Sequence, residues 1–479
     1  MDNWFDYILF HIRSQPETPA MVMEDRTITY GMLGTAIASC ARRIAALKIQ
    51  PNGLVAVQIE NPIRDLTISL ALFRIGMRSI SLTQGHAGIE GVAFSAVLGD
   101  RDAARLFDPG AGLIEVTDEW FSEQAPVDGI LPHSLFAGGQ TCRLSLTSGS
   151  TGTPKVVNHR VVDVGQRAFK FMGMSWTFAL CMPGLSSSIG FTTACMTLAA
   201  GRTLCFAKSP FQAIRMTDLF SIDFIRCSTE QLAALTRAAR KSRAHLRSLR
   251  TVWVGGGVPT RALLEAAMIH LCKDVYCTYG ASETGTIAGI TAREVLLNPG
   301  LVGHILPGVE VGIFDANDKR CSVGETGTVK IRRHDDKLVQ ANVDKPWIDI
   351  GDVGWIASDG YLHILGRAGD AGGLRDTPAQ RVSPVHEVEH LLRLEWDVND
   401  AAAVLVEDKS SEKPQIWIGV VGNRDLRAEK VAAIARVRGI EHIIRLCDLT
   451  AIPRGANGKV NRAQLKTLLL AAMPKPTVS

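Results

Sequence analysis

Apolar runs alternate with amphipathic stretches along most of the chain. Leu54–Ile59 reads as a short buried strand, Asp65–Gly76 carries apolar residues at helical spacing, and Ser79–Leu82 returns to strand. The rhythm recurs downstream. Ser248–Val254 reads as a strand ending in Gly255, Gly256 and Gly257, Arg261–Cys272 as a helix, and Asp274–Thr278 as the next strand. Such alternation predicts parallel sheets covered by helices. Ligands of these sheets sit at the carboxyl ends of strands, where the glycine triplet and Tyr279–Gly285 fall. From about Gly312 to Leu365 the pattern shortens into alternating strands punctuated by glycines, and glycines cluster again in Gly366–Gly373. Beyond them Val385–Leu394 and Arg427–Val437 read as helices, and Ala403–Glu407 and Gln415–Val421 as paired strands. The expected architecture is α/β: a large N-terminal domain, residues 1–366, of helix-covered and mostly parallel sheets with a small β-rich subdomain. A hinge at 367–373 and a small α+β C-terminal domain at 374–479 complete it. No internal repeat is visible.

Composition narrows the class. A length of 479 residues calls for two or three domains. With 46% hydrophobic and 21% charged residues the chain is globular. A net charge of +4 suits anionic ligands, but no basic run interleaved with aromatics calls for nucleic acid. The opening Met1–Asp6 is acidic and shows no signal-peptide pattern. Phe171–Gly201 lacks charge, yet Pro183, Gly184, Gly190 and many hydroxyls favour a buried strand, loop and helix over a membrane span. Ten scattered cysteines without a C-x-x-C pair fit a reducing cytoplasm.

Chemistry concentrates in Leu146–Val157, where Thr147, Ser148, Gly149, Ser150, Thr151 and Gly152 precede Lys155. Glycines let backbone N–H groups turn toward an anion, hydroxyls add donors, and the lysine adds a mobile charge. The loop can hold a polyphosphate. It is not the Walker loop, because Lys155 follows Pro154 and no Ser or Thr comes after it. Four further segments follow in order: Tyr279–Gly285 after a strand, Asp349–Trp355 among the short strands, Gly366–Asp370 at the boundary, and Pro453–Lys459 near the C-terminus. Together the five motifs resemble the acyl-adenylate-forming superfamily of acyl-CoA synthetases, nonribosomal peptide adenylation domains and luciferases, over nearly the whole chain.

The resemblance implies ATP, Mg²⁺ and coenzyme A, or a carrier-protein phosphopantetheine in its place, acting on a small-molecule carboxylic acid. Thr147–Lys155 would embrace the β- and γ-phosphates. Tyr279, Gly280 and Ala281 would border the adenine with Gly255–Gly257, and Ser282 would reach the α-phosphate. Glu283 would hold Mg²⁺, while Asp352 and Arg367 would bind the ribose. Lys459 would be the catalytic residue, because a carboxylate attacking the α-phosphorus brings two anions together. The family's C-terminal module is mobile and rotates between two poses, with Gly369 and Asp370 at the hinge. Ser187, Ser188, Gly190, Phe191 and Trp253 would border the acid.

Several residues depart from the family pattern. Val156 replaces the glycine of P-K-G, and Ile350 the threonine of T-G-D. Ser187–Gly190 stands where many acyl-CoA synthetases read H-x-x-G, and Ala379 takes a glycine position near the expected pantetheine path. The last change leaves the thiol acceptor open between CoA and a carrier protein on a separate chain. His386-Glu-Val-Glu-His390 matches H-E-x-x-H, so a zinc peptidase with Glu387 as base is a second class to weigh. A nucleotide binder without catalysis is a third, against which Lys459, Glu283 and Asp352 argue. The acid and the oligomeric state are not readable.

Overall fold

The computed structural model describes residues 3–50, 52–82, 92–100, 113–122, 136–147, 155–169, 173–298, 300–333, 346–367, 384–396, 398–406, 414–423, 425–454 and 460–472. The chain divides into two compact units, Met1–Arg226 with Arg247–Leu249, and Cys227–Leu246 with Arg250–Ser479.

The first unit contains a six-stranded sheet in the order Leu113–Glu115, Ala96–Gly99, Leu54–Gln58, Arg78–Ser81, Thr141–Thr147, Lys155–Arg160. Its first five strands pair in parallel, and the last closes an antiparallel hairpin on Thr141–Thr147. Leu54–Gln58 is buried along its whole length, as a covered parallel strand must be. The helix Pro62–Arg74 follows it, with proline in its first turn and Asn61 Oδ1 accepting from Ile63 N. A second set of strands in this unit runs Phe224–Cys227, Phe178–Cys181, Thr203–Cys205, Pro19–Met23, Arg26–Thr29, parallel except for the last pair. The uncharged stretch resolves into the strand Phe178–Cys181 and the helix Ser188–Ala199, which is buried nearly all round. Among the described residues no helix is long and apolar enough to cross a membrane.

The second unit starts with the parallel pair Thr251–Gly255 and Asp274–Ala281. It continues antiparallel through Gly285–Thr291, Leu301–Ile305, Tyr361–Arg367, Ile348–Ile356, Gly327–Arg333 and Val309–Phe314. Ile287, Val311, Ile313, Val329, Ile331 and Leu362 form the apolar cluster of this β-rich region. The C-terminal segment contributes a three-stranded sheet, Asp400–Val406, Gln415–Val421 and Ile443–Asp448, with helices Pro384–Glu395, Ala428–Val437 and Arg462–Ala472. The α/β class and the β-rich subdomain match the expectation.

One boundary differs in a way that matters. The strand expected to stop at Thr278 runs on to Ala281, so Tyr279, Gly280 and Ala281 lie within it rather than after it. The cause is pairing: Tyr279 faces Ala288 and Ala281 faces Gly285 across an antiparallel hairpin, with an irregularity between Tyr279 and Gly280. Gly280 is required there, since a Cβ would stand 2.2 Å from the Gly285 carbonyl oxygen.

Candidate functional site

In the second unit the nucleotide-type residues converge. Gly255 ends its strand in register with Thr278, so the glycine turn emerges beside Tyr279. Gly256 has φ +86°, the left-handed region that favours glycine. A Cβ on Gly257 would lie 2.1 Å from Thr229 Oγ1, which keeps the turn close to the helix Thr229–Ser242. The Tyr279 hydroxyl donates to Asp352 Oδ2 at 2.6 Å, although 73 residues separate them in sequence. Asp352 is also the register partner of Arg367. Ser282 and Glu283 occupy the hairpin turn, with Glu283 exposed. Such a carboxylate fits Mg²⁺, which keeps most of its ligands from water and phosphate.

In the first unit Thr147 and Lys155 pair at the mouth of a hairpin. Ser148, Gly149, Ser150, Thr151 and Gly152 lie outside the described residues, as do Gly369, Asp370, Ala379 and Lys459. The ends of the Lys459 segment are anchored. Arg454 bridges Val460, Asn461 N donates to the Pro453 carbonyl at 2.8 Å, and Arg454 Nη2 donates to Asp400 Oδ1 and Oδ2 at 2.8 and 2.7 Å.

The residues expected to border the acid have local roles. Ser187 caps the helix Ser188–Ala199: its Oγ accepts from Gly190 N at 3.0 Å and donates to the Gly184 carbonyl at 2.7 Å. Gly190 admits no side chain, because a Cβ would sit 2.2 Å from that carbonyl oxygen. Ser188 Oγ accepts from Arg167 at 3.2 Å. Phe191 is buried under Arg143. In the second unit, Trp253 packs on Tyr276 with ring centroids 5.2 Å apart.

The H-E-x-x-H segment is helical as expected, within Pro384–Glu395, but the zinc reading is overturned. His390 is buried with Nδ1 2.9 Å from Thr260 Oγ1. Glu387 Oε1 accepts from Ala262 N at 3.1 Å, at the first turn of the helix Arg261–His270. Glu389 accepts from Arg462 Nη1 and Ala403 N, both at 2.7 Å, and His386 Nε2 lies 3.0 Å from Arg462 Nη2. A guanidinium at His386 opposes a metal cation, and both ends of the motif are spent on packing. Among the described residues no cluster could hold a metal ion.

This packing makes a pH prediction. Burial, with Arg393 adding to it, pushes the His390 pKa down to about 3; Glu389 and Glu230 oppose the shift, and His386 adds to it. An unfolded histidine titrates near about 6.5, so below that pH the unfolded chain binds a proton that the folded chain refuses. The stability tied to neutral His390 is complete above about pH 6.5 and falls by about 1.4 kcal/mol per pH unit on the way down. His159, also lowered to about 3 by burial, acts in the same direction. The melting midpoint should drop between pH 7 and 5, and His390→Gln should flatten that drop. Identical pH slopes for the two proteins would contradict the assignment.

Two buried networks escaped the sequence reading. Ser145 Oγ lies 2.7 Å from His159 Nε2, and Arg143 is buried among Ser69, Ser79 and Ser81. The only signal was a charge and hydroxyls inside apolar strands.

Comparison with known proteins gives the family and relatives of similar fold. A family model for AMP-binding enzyme matches residues 10–335. A 2-succinylbenzoate–CoA ligase of Geobacillus kaustophilus is 26% identical over 98% of both chains. Among solved structures, o-succinylbenzoate CoA synthetase (MenE) from Bacillus subtilis, in complex with its acyl-adenylate intermediate, aligns with a TM-score of 0.77 at 22% identity, covering 97% of this chain and 98% of that one. The amide bond synthetase McbA from Marinactinospora thermotolerans aligns with a TM-score of 0.72 at 23% identity, covering 97% and 99%.

Proposed function

From the premise that this chain belongs to the AMP-binding enzyme family, we infer that it is an ATP-dependent acid–thiol ligase. A carboxylic acid attacks the α-phosphorus of ATP, giving an acyl-adenylate and pyrophosphate, and CoA then takes the acyl group and releases AMP. The observation that carries this reading is the Tyr279–Asp352 hydrogen bond beside the glycine turn. It joins an aromatic face, a carboxylate with two acceptor oxygens and exposed backbone in one place, which are the features a ribonucleotide needs.

The chain's residues take these roles in the proposal. Tyr279 offers its ring to the adenine while its hydroxyl orients Asp352. Asp352 accepts from the ribose hydroxyls, with Arg367 beside it in register. The hydroxyls and backbone of Thr147–Gly152, with Lys155, hold the outer phosphates, and Ser282 holds the α-phosphate. Glu283 would hold Mg²⁺, which would supply charge neutralisation to the phosphates. Lys459 sits between the carboxylate and the α-phosphate and stabilises the charge that spreads as they join.

The acid belongs to the class of 2-succinylbenzoate, an aryl acid with a second carboxylate; the name of the Geobacillus relative supports this choice. The cytoplasm is the proposed compartment, on the strength of ten free cysteines, seven of them buried. Residues 367–373 form the hinge on which the C-terminal domain swings between half-reactions. Gly369→Pro should then stop thioester formation while sparing adenylation. Loss of both steps, or of neither, would refute the hinge assignment.

The test of the activity is pyrophosphate release across aryl, fatty, amino and dicarboxylic acids, with and without CoA. Release with one acid class, accelerated by CoA and accompanied by the acyl-CoA, is expected. Acid-dependent release that CoA leaves unchanged would move the acceptor to a carrier protein and give Ala379 a meaning.

A further inference from the structure

The strand that leads into the phosphate loop carries a charge that the proposed chemistry does not use. Arg143 is 1% exposed. Its Nη1 donates to Ser69 Oγ and Ser79 Oγ, both at 3.0 Å, and its Nη2 to Ser81 Oγ at 2.6 Å. Nη2 also donates to the carbonyl of Leu185 at 2.9 Å. The guanidinium lies over the ring of Phe191, 4.3 Å from its centroid. Asp65 supplies the countercharge: it accepts from Ser69 Oγ at 3.2 Å and Ser81 Oγ at 2.5 Å. Burial pushes its carboxyl up, and Arg143 and the two serines oppose that shift.

Stability alone is a weak reason for such a cluster, since well-packed apolar residues often replace a buried ion pair without loss. Direction is what a guanidinium adds. Its planar fork fixes several acceptors at once in a set geometry. Here it joins two segments of functional interest: Arg143 stands on the strand that leads into the phosphate loop, and one of its acceptors, the Leu185 carbonyl, stands just before Ser187. Arg143 and Ser145 share one side of the strand Thr141–Thr147 by its period of two, and the end of that strand pairs in register with Lys155 at the mouth of the phosphate hairpin. Leu185 lies just before, and Phe191 among, the residues proposed to border the acid. Ser187, two residues past Leu185, caps the helix that carries Phe191.

We propose that Arg143 is a positioning residue for the acid: it ties the loop before Ser187 to the strand of the phosphate hairpin, and so sets where the acid stands relative to that hairpin. This rests on the ligase reading. Reactive groups displaced by about 1 Å lose roughly 10²-fold in rate, which is the scale expected when the tie is cut.

The test measures KM for acid and for ATP separately in pyrophosphate release. Arg143→Met leaves Asp65 buried and unpaired, so the informative variant is Asp65→Asn with Arg143→Met, which removes both charges. Phe191→Leu removes the ring under the guanidinium, together with its edge contact to Trp4, while keeping both charges, and keeps the assignment testable if the double variant fails to fold. The double variant should lose about 100-fold in kcat/KM for acid while KM for ATP stays within about threefold, with a cooperative melt. Phe191→Leu should move the same way by a smaller factor, and Arg143→Lys should recover part of the loss. Equal rises in both KM values, or activity that merely tracks the folded fraction, would overturn the assignment while the ligase reading stands. A wild type that releases no pyrophosphate with any acid would overturn both.

Discussion

Replacing Lys459 with alanine is expected to lower acid-dependent pyrophosphate release by about 10²–10³-fold, the scale of losing one preorganised donor to a developing charge. Attack on ATP brings a carboxylate against a polyphosphate, and no other step in the cycle sets two anions so directly against each other. The effect should therefore fall on one half-reaction. Acyl-adenylate supplied from outside should still pass its acyl group to CoA at close to the wild-type rate, because that step joins a thiol to a carbonyl. The fold should survive. The segment's ends are held by the Arg454–Val460 bridge, the Asn461-to-Pro453 bond and the paired contacts of Arg454 with Asp400. Equal losses in both half-reactions would remove Lys459 from the adenylation role.

Asp352→Ala should be the next most damaging change. It removes a carboxylate proposed to accept from the ribose and the acceptor of the Tyr279 hydroxyl at 2.6 Å. Hydrogen bonds to a charged group contribute about 1.5–3 kcal/mol each, so losing two should cut kcat/KM for ATP by roughly 100-fold or more. Tyr279→Phe separates the contributions: it keeps the ring and deletes only the hydroxyl, so its loss should stay near tenfold. Both variants should leave kcat/KM for CoA, measured with supplied acyl-adenylate, nearly unchanged. If Tyr279→Phe proves as harmful as Asp352→Ala, the carboxylate acts mainly through the tyrosine and its ribose role fails.

The parts of the fold readable from sequence are those set by short-range pattern. Leu54–Gln58 and Gln415–Val421 are apolar runs of strand length, and Arg261–His270 is a helix begun by a capping threonine. Where pairing partners decide the conformation, local pattern runs out. The extension of Asp274–Ala281 through Tyr279 depends on Gly285–Thr291 folding back on it. The H-E-x-x-H segment shows the same limit. Helical spacing places His386 and His390 on one face, but only the fold reveals Thr260 and Arg462 waiting there. The Arg143 cluster gathers groups from residues 65 to 185, and nothing near Arg143 in sequence announces them. The residues proposed for the nucleotide stand out in the sequence as motifs in a fixed order; the Tyr279–Asp352 bond that joins two of them does not.

The most direct measurement follows the oxygen. An acid of the active class, labelled with ¹⁸O in its carboxyl group, is turned over with ATP and CoA, and the nucleotide and phosphate products are weighed by mass spectrometry. Attack by the carboxylate on the α-phosphorus makes one acid oxygen the bridge of the acyl-adenylate, and attack by the thiol on the carbonyl leaves that oxygen on AMP. AMP bearing one ¹⁸O and pyrophosphate bearing none is the predicted result. Label in inorganic phosphate, or AMP without label, would mean that no acyl-adenylate forms on this protein.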